Sequence, residues 1–261
     1  MYFKSFMASC LLALPIAIHA AILTNPPINP SQIDHWATQI VEYAPGPQQI
    51  GVPASPLASG GATQNALGSP DANTVSLGDG GFITLSFESS FYNQAGPDFA
   101  VFENAFLFEG LVFAELGFVS VSSDGINFSM FPSTFDNPTI DDSFGSNFRI
   151  IDRDQTNNLA GIHQTGTGTG FDLSDLVDDS LVLQGFVNLD AIQFVRITDA
   201  IGDGSTVDIL GNSIFDPFPT DLDVGGFDLD AVGVLQPVPI PAPILLLGSA
   251  LAGLARFRMR A

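Results

Sequence analysis

Short β-rich runs, several of them alternating apolar and polar positions with a period of two, recur through the middle of this chain. Phe82-Ile-Thr-Leu-Ser-Phe87 sits between the turn Gly78-Asp-Gly-Gly81 and the pair Ser89-Ser90, which predicts a strand. Phe99-Ala-Val-Phe102 follows Gly96-Pro-Asp98, and the apolar character continues from Phe106 to Leu111. Phe118 to Ser122 and Asn127 to Phe131 are joined by Ser123-Asp-Gly125, the clearest hairpin signal in the sequence. In Ala191 to Thr198 the alternation predicts Ile192, Phe194 and Arg196 on one face, with Val195 and Ile197 on the other. Val207–Leu210 and Ala231–Leu235 complete the strand-like segments.

A period near 3.6 is suggested once. Ile33, Trp36, Ile40 and Val41 follow Ser31 and Asp34, which fit an N-cap and capping box, so a short helix is expected from Ser31 to Tyr43. Trp36 then plugs that helix onto a sheet, or faces a ligand together with His35. Ala44 to Ala72 is rich in Pro, Gly, Ser and Ala without a period, and reads as a long surface loop. Asp136 to Asp179 is also loop-dominated, with Gly166-Thr-Gly-Thr-Gly170 inside it and a short helical turn at Leu173–Val177. Many short strands with Gly and Asp turns define an all-β chain, an antiparallel β-sandwich or jelly roll with one short N-terminal helix.

The two ends follow different rules. Lys4 precedes an apolar stretch from Phe6 to Ile18 and then His19-Ala-Ala21, the layout of a secretory signal peptide. Met7-Ala-Ser-Cys10 is a poor lipobox, and its cysteine is the only one in the chain. Removal of the leader leaves no thiol for a disulfide, a nucleophile or a metal. At the other end Val238-Pro-Ile-Pro-Ala-Pro243 leads into the apolar run Ile244–Ala255 and then Arg256, Arg258 and Arg260. Twelve helical residues reach about 18 Å, short of the roughly 30 Å hydrocarbon core of a bilayer. The segments are therefore 1–20 signal peptide, 21–68 helix-containing lead-in and loop, 69–236 sandwich, and 237–261 tail, the last with a C-terminal hydrophobic helix.

The tail resembles the PEP-CTERM sorting signal of Gram-negative bacteria, in its Val-Pro-x-Pro-Ala form. The resemblance rests on Val238, Pro239, Pro241, Leu245-Leu-Leu-Gly248-Ser249 and the terminal arginines, with Ile240 standing where the usual motif has Glu. It implies an exosortase as partner, transient or permanent contact with the inner membrane, and delivery to the cell surface or extracellular matrix. A permanent single-pass anchor is the alternative. Val119–Phe128 with Phe194-Val-Arg-Ile197 is similar to paired strands of galactose-binding-like, discoidin-type jelly rolls. Val75–Gly78, Gly96–Asn104 and Gly226–Val232 resemble a core that recurs in bacterial surface proteins with such tails.

Charge narrows the chemistry. All twenty-eight acidic residues lie between Asp34 and Asp230, where Arg149, Arg153 and Arg196 are the only basic ones, a net of −25. That balance excludes nucleic acid and anionic lipid as partners. It favours a cation, and calcium takes carboxylate, carbonyl and water oxygens from convergent loops. The expected ligands are Asp98, Glu103, Asp228 and Asp230, the last two on one side of an extended segment. The spacing from Asp221 onward lacks the bidentate Glu of an EF-hand. The alternative is that these acids form turns and strand edges in solvent.

Catalysis finds little support. Asp98 and Glu103 are five apart, which sets them on opposite faces of a continuous strand. His35 and His163 have no motif neighbours and are 128 residues apart, and there is no Gly-x-Ser-x-Gly elbow. His163 in its Gly-rich loop is expected to be exposed. Phe is abundant at twenty-three, while Trp is single and Tyr numbers three, so few rings are available to stack on sugars. The sequence thus describes an exported, non-catalytic surface or matrix protein with calcium-stabilised loops and weak contact to extracellular polysaccharide. An extracellular polysaccharide hydrolase is the competing reading.

Overall fold

Alternation in the apolar runs is realised as two antiparallel sheets. A computed structural model of the chain describes residues 24–136, 143–220 and 222–237. The expected signal peptide, 1–20, and the expected sorting-motif residues Val238, Pro239, Pro241, Gly248, Arg256, Arg258 and Arg260 lie outside these. Eight strands carry the architecture: β1 (Ile33–Trp36), β2 (Gln39–Ala44), β3 (Phe82–Phe91), β4 (Phe99–Glu103), β5 (Gly117–Ser122), β6 (Gly168–Phe171), β7 (Ile192–Asp199) and β8 (Asp228–Leu235). One 6-stranded sheet runs from the short strand Pro27–Ile28 through β6, β4 and β8 to β1, with Val75–Ser76 also on β8. The other 6-stranded sheet runs from Ser129–Met130 through β5, β7 and β3 to β2, with Leu159–Ala160 also on β5.

The sheets pack face to face. Val75, Phe99, Val101, Leu229, Val232 and Val234 from the first meet Ile83, Leu85, Val119, Val121, Val195 and Ile197 from the second in one buried cluster. Phe99 stacks on Phe171 with ring centroids 5.4 Å apart. Each such side chain removed from water contributes about 1.5–3 kcal/mol. The hairpin at Asp124 forms as expected, because the Asp124 carboxylate accepts from the amides of Ile126 and Asn127 and fixes the turn. Those bonds hold its pKa well below the usual carboxylate range.

The helix expected from Ser31 to Tyr43 is instead β1 and β2. Helical order there is limited to a single 3-10 turn at Pro30–Gln32, capped by Asn29 and Gln32. The apolar spacing that suits a helix suits two strands equally when the chain changes sheets between them. It does so at Ala37 and Thr38: the Ala37 amide donates to the Val232 carbonyl at 2.9 Å, and the Thr38 amide to Ser86 at 3.0 Å on the opposite sheet. Strands from Pro27 to Ala44 thus belong to both sheets, and the sandwich begins well before residue 69. Trp36 lies on the outer face of its sheet, tilted against Phe102 at 5.4 Å.

Two more expectations change. Gly166–Gly170 is not a free loop, since Gly168–Phe171 is the buried strand β6 between Pro27–Ile28 and β4. Its glycines are dictated by proximity: a Cβ on Gly168 would stand 2.8 Å from the Phe102 ring. In β7, Val195 and Ile197 face the core as predicted, but so does Ile192, because a bulge between Ile192 and Phe194 shifts the register. Val207–Leu210 forms only an isolated bridge from Val207 to Ser213. The turn at Leu173–Leu176 is present as a 3-10 helix.

Candidate functional site

Antiparallel pairing brings particular strand ends together. Glu103 closes β4 and pairs with Leu229 near the start of β8, while Asp199 closes β7 opposite Gly117 at the start of β5. Glu115 lies two residues before β5, in the apolar stretch Val112-Phe-Ala-Glu-Leu116. One pole of the sandwich therefore gathers Glu103, Glu115, Asp199 and Asp228, joined by Asp79 and Asp216 from loops. All six are buried, and all six have pKa values raised above the ordinary carboxylate range, with desolvation as the leading cause. Mutual repulsion adds to it: Glu115 feels Asp228, Glu103, Asp216 and Asp199.

Most of these acids are satisfied locally. Asp199 accepts from the amides of Phe227 at 2.7 Å and Gly80 at 2.9 Å, which still leaves its pKa at about 7. Asp216 accepts from the Leu116 amide at 2.8 Å. Arg149 supplies the positive charge that lowers Asp216, and its Nη1 donates to the carbonyls of Gly202 at 2.8 Å and Asp216 at 2.9 Å. Asp228 accepts from the Ser76 hydroxyl and, at 2.8 Å, from Asn104 Nδ2. Glu103 accepts from the Ala105 amide at 2.6 Å. Glu115 is 8% exposed, and its carboxylate oxygens are not among the buried side-chain atoms left without a partner.

The four acids expected to share a cation are split by the fold. Glu103 and Asp228 do meet at this pole. Asp98 precedes β4 and lies at its opposite end, about 17 Å away at 3.3 Å per residue. There its carboxylate is fully buried and accepts from Gln94 and Leu173, both at 2.8 Å. Burial lifts its pKa to about 6 against the lowering effect of those amides. Asp230 accepts from Asp71 and Ala72, both at 3.0 Å, in a separate loop. A bulge between Leu229 and Ala231 interrupts the regular alternation on which pairing Asp228 with Asp230 relied. Among the described residues, no three His, Cys, Asp or Glu side chains stand ready around one metal position.

The participants that sequence reasoning passed over are Glu115, Asp199 and Asp79. For Glu115 and Asp199 the signal was present, because an acid inside an apolar run, as in Phe-Ala-Glu-Leu or Ile-Thr-Asp-Ala, is carried into the interior by its neighbours, whereas Asp79 sits in a Gly-rich turn that gives no such sign. His163 is corrected too. It is buried, and its Nε2 pairs with the Asn25 carbonyl at 2.9 Å, with burial lowering its pKa.

The opposite pole carries a groove of about 440 Å³. Its walls include Asp34, His35 and Trp36 from β1, Glu88 and Tyr92 around the end of β3, and Gln94. His35 sits edge-on to Phe87 and pairs through Nδ1 with Asp34 at 3.1 Å. Its Nε2 is buried without a partner among the described residues. Tyr92 is half-exposed at 49%, and Pro237 closes the rim. An aromatic face, two carboxylates and an amide suit hydroxyl-rich ligands. The chain matches no protein-family model and no curated protein. No helix among the described residues is long and apolar enough to cross a membrane.

Proposed function

We propose that this is an exported, non-catalytic surface or matrix protein, sorted by an exosortase through its tail and presenting a galactose-binding-like jelly roll. The observation that carries the reading is the junction at Pro237. β8, flanked by β4 and β1, ends at Leu235, and two residues later the sequence becomes Pro-Val-Pro-Ile-Pro-Ala-Pro, whose prolines have no amide to continue a ladder. The sorting motif thus follows directly on the folded domain. The groove on whose rim Pro237 lies supplies the contact to extracellular polysaccharide, through Trp36, Tyr92, Asp34, Glu88 and Gln94.

Mass spectrometry of the mature protein from its native host tests the sorting. A C-terminus near Val238–Pro243, with Ile244–Ala261 missing, is the expected result; a terminus at Ala261 overturns exosortase processing in favour of a permanent anchor. Incubation with the host's exopolysaccharide tests the rest. Retention of the protein without new reducing ends is expected, and release of reducing ends overturns the non-catalytic reading.

A further inference from the structure

The groove is walled by both sheets, at the place where the chain crosses between them. Asp34 and Trp36 on β1 form one side, and Glu88 and Tyr92 at the far end of β3 form the other. Its charge has one sign: two carboxylates line it, and no Lys or Arg does among the described residues. The arginines of the domain are engaged elsewhere. Arg149 donates to the carbonyls of Gly202 and Asp216, Arg153 lies beside Asp154, and Arg196 pairs with Glu42 against the rings of Phe82 and Phe128. The Asp34 side chain is 58% exposed and meets His35 Nδ1 through Oδ2, while the exposed Glu88 carboxylate has no partner among the described residues. Carboxylates on both walls, with aromatic rings beside them, are complementary to a cation that also carries apolar surface.

We propose, building on the polysaccharide contact above, that the groove selects an amine-bearing glycan: a hexosamine chain with free amino groups, in preference to neutral or carboxylated chains. The sugar's apolar face rests on the aromatic side chains, its ammonium group lies between Asp34 and Glu88, and its hydroxyls meet Thr38 and Gln94. A protonated amine makes charge-assisted hydrogen bonds to the two carboxylates, roughly twice as strong as neutral ones. Acetylation of that nitrogen removes the charge and leaves a neutral amide in its place. A carboxylated sugar brings a like charge to both walls, and the acidic surface around the groove adds to the repulsion. The same surface attracts any polycation at long range, but salt screens that attraction, whereas contact with ring and carboxylates together is confined to the groove.

Trp36 is the single tryptophan of the chain and lines the groove, so its fluorescence reports occupancy of this site rather than general attraction to an acidic protein. The full-length protein is titrated with a glucosamine tetramer at physiological salt, in mildly acidic buffer that keeps the sugar amines protonated. A saturable change in emission is expected, with the N-acetylglucosamine and galacturonate tetramers binding roughly tenfold more weakly or less. Glu88→Gln and Asp34→Asn, both at exposed positions, should each weaken glucosamine binding about fivefold to tenfold. Asp203→Asn, which removes the same charge from an exposed turn beside Asp79 at the other pole, should bind as wild type. An N-acetylated or galacturonate tetramer that binds as tightly overturns the amine preference and leaves the polysaccharide contact standing. A lysine tetrapeptide that binds as tightly as the sugar overturns the glycan class, and equal losses in Asp203→Asn and Glu88→Gln overturn the site. Unchanged emission with all three sugars overturns the polysaccharide contact of the groove as well.

Discussion

Asp98 shows how one buried acid sets the pH response of its surroundings. Its folded pKa is about 6, above the roughly 3.9 of an unfolded chain, with desolvation first and Asp172 adding repulsion. The stabilising contribution of the protonated form is therefore complete below about pH 4 and is lost as pH rises through 6. Relative to Asp98→Asn, wild type should lose about 2–3 kcal/mol between pH 4 and pH 7, read from denaturant midpoints in chelator. Parallel curves for the two proteins would contradict that assignment. Gly168 offers a steric counterpart. Alanine there meets the Phe102 ring at 2.8 Å and the Ala100 Cβ at 3.0 Å, and should cost about 1–3 kcal/mol in equilibrium unfolding.

Among the elements, β1 has the least obvious role. Trp36 and Ile33 cover the outside of the first sheet by packing on Phe102, Ala231 and Leu235. Trp36→Ala should lower stability by about 2–3 kcal/mol and also reduce retention on polysaccharide, since the same ring lines the groove. Elements of this kind also mark what the sequence could disclose. β3, β5 and β7 were legible from alternation over several residues, and β4 and β8 from short apolar runs following turn residues. β1 and β2 were not, because a strand that changes sheets at Ala37 repeats its apolar residues with a spacing that imitates a helix. β6 was hidden by glycines chosen for the ring of Phe102 rather than for flexibility. At the site, Glu103 and Asp228 were legible as acids flanking apolar runs, whereas Glu115 needed the register of β5 to bring it to them.

For the molecule as a whole, the polarity of charge and shape is the organising fact. Six buried acids occupy one end and the groove the other, separated by the length of the strands. Near one end of the described residues Asn25 donates to Asn158 and Gly170 and lies against His163, and near the other the Gln236 amide donates to the Gln32 carbonyl.

The placement of β8 has a mechanical consequence. It is hydrogen-bonded along β4 on one side and β1 on the other, and Pro237 follows at its end. Tension arriving through Pro237 runs along the strand axis and loads both ladders in shear, so the bonds share the force instead of opening one after another. A peeling geometry would have required the terminal strand at a sheet edge. With β8 inside the sheet, the domain resists pulling from its C-terminal side.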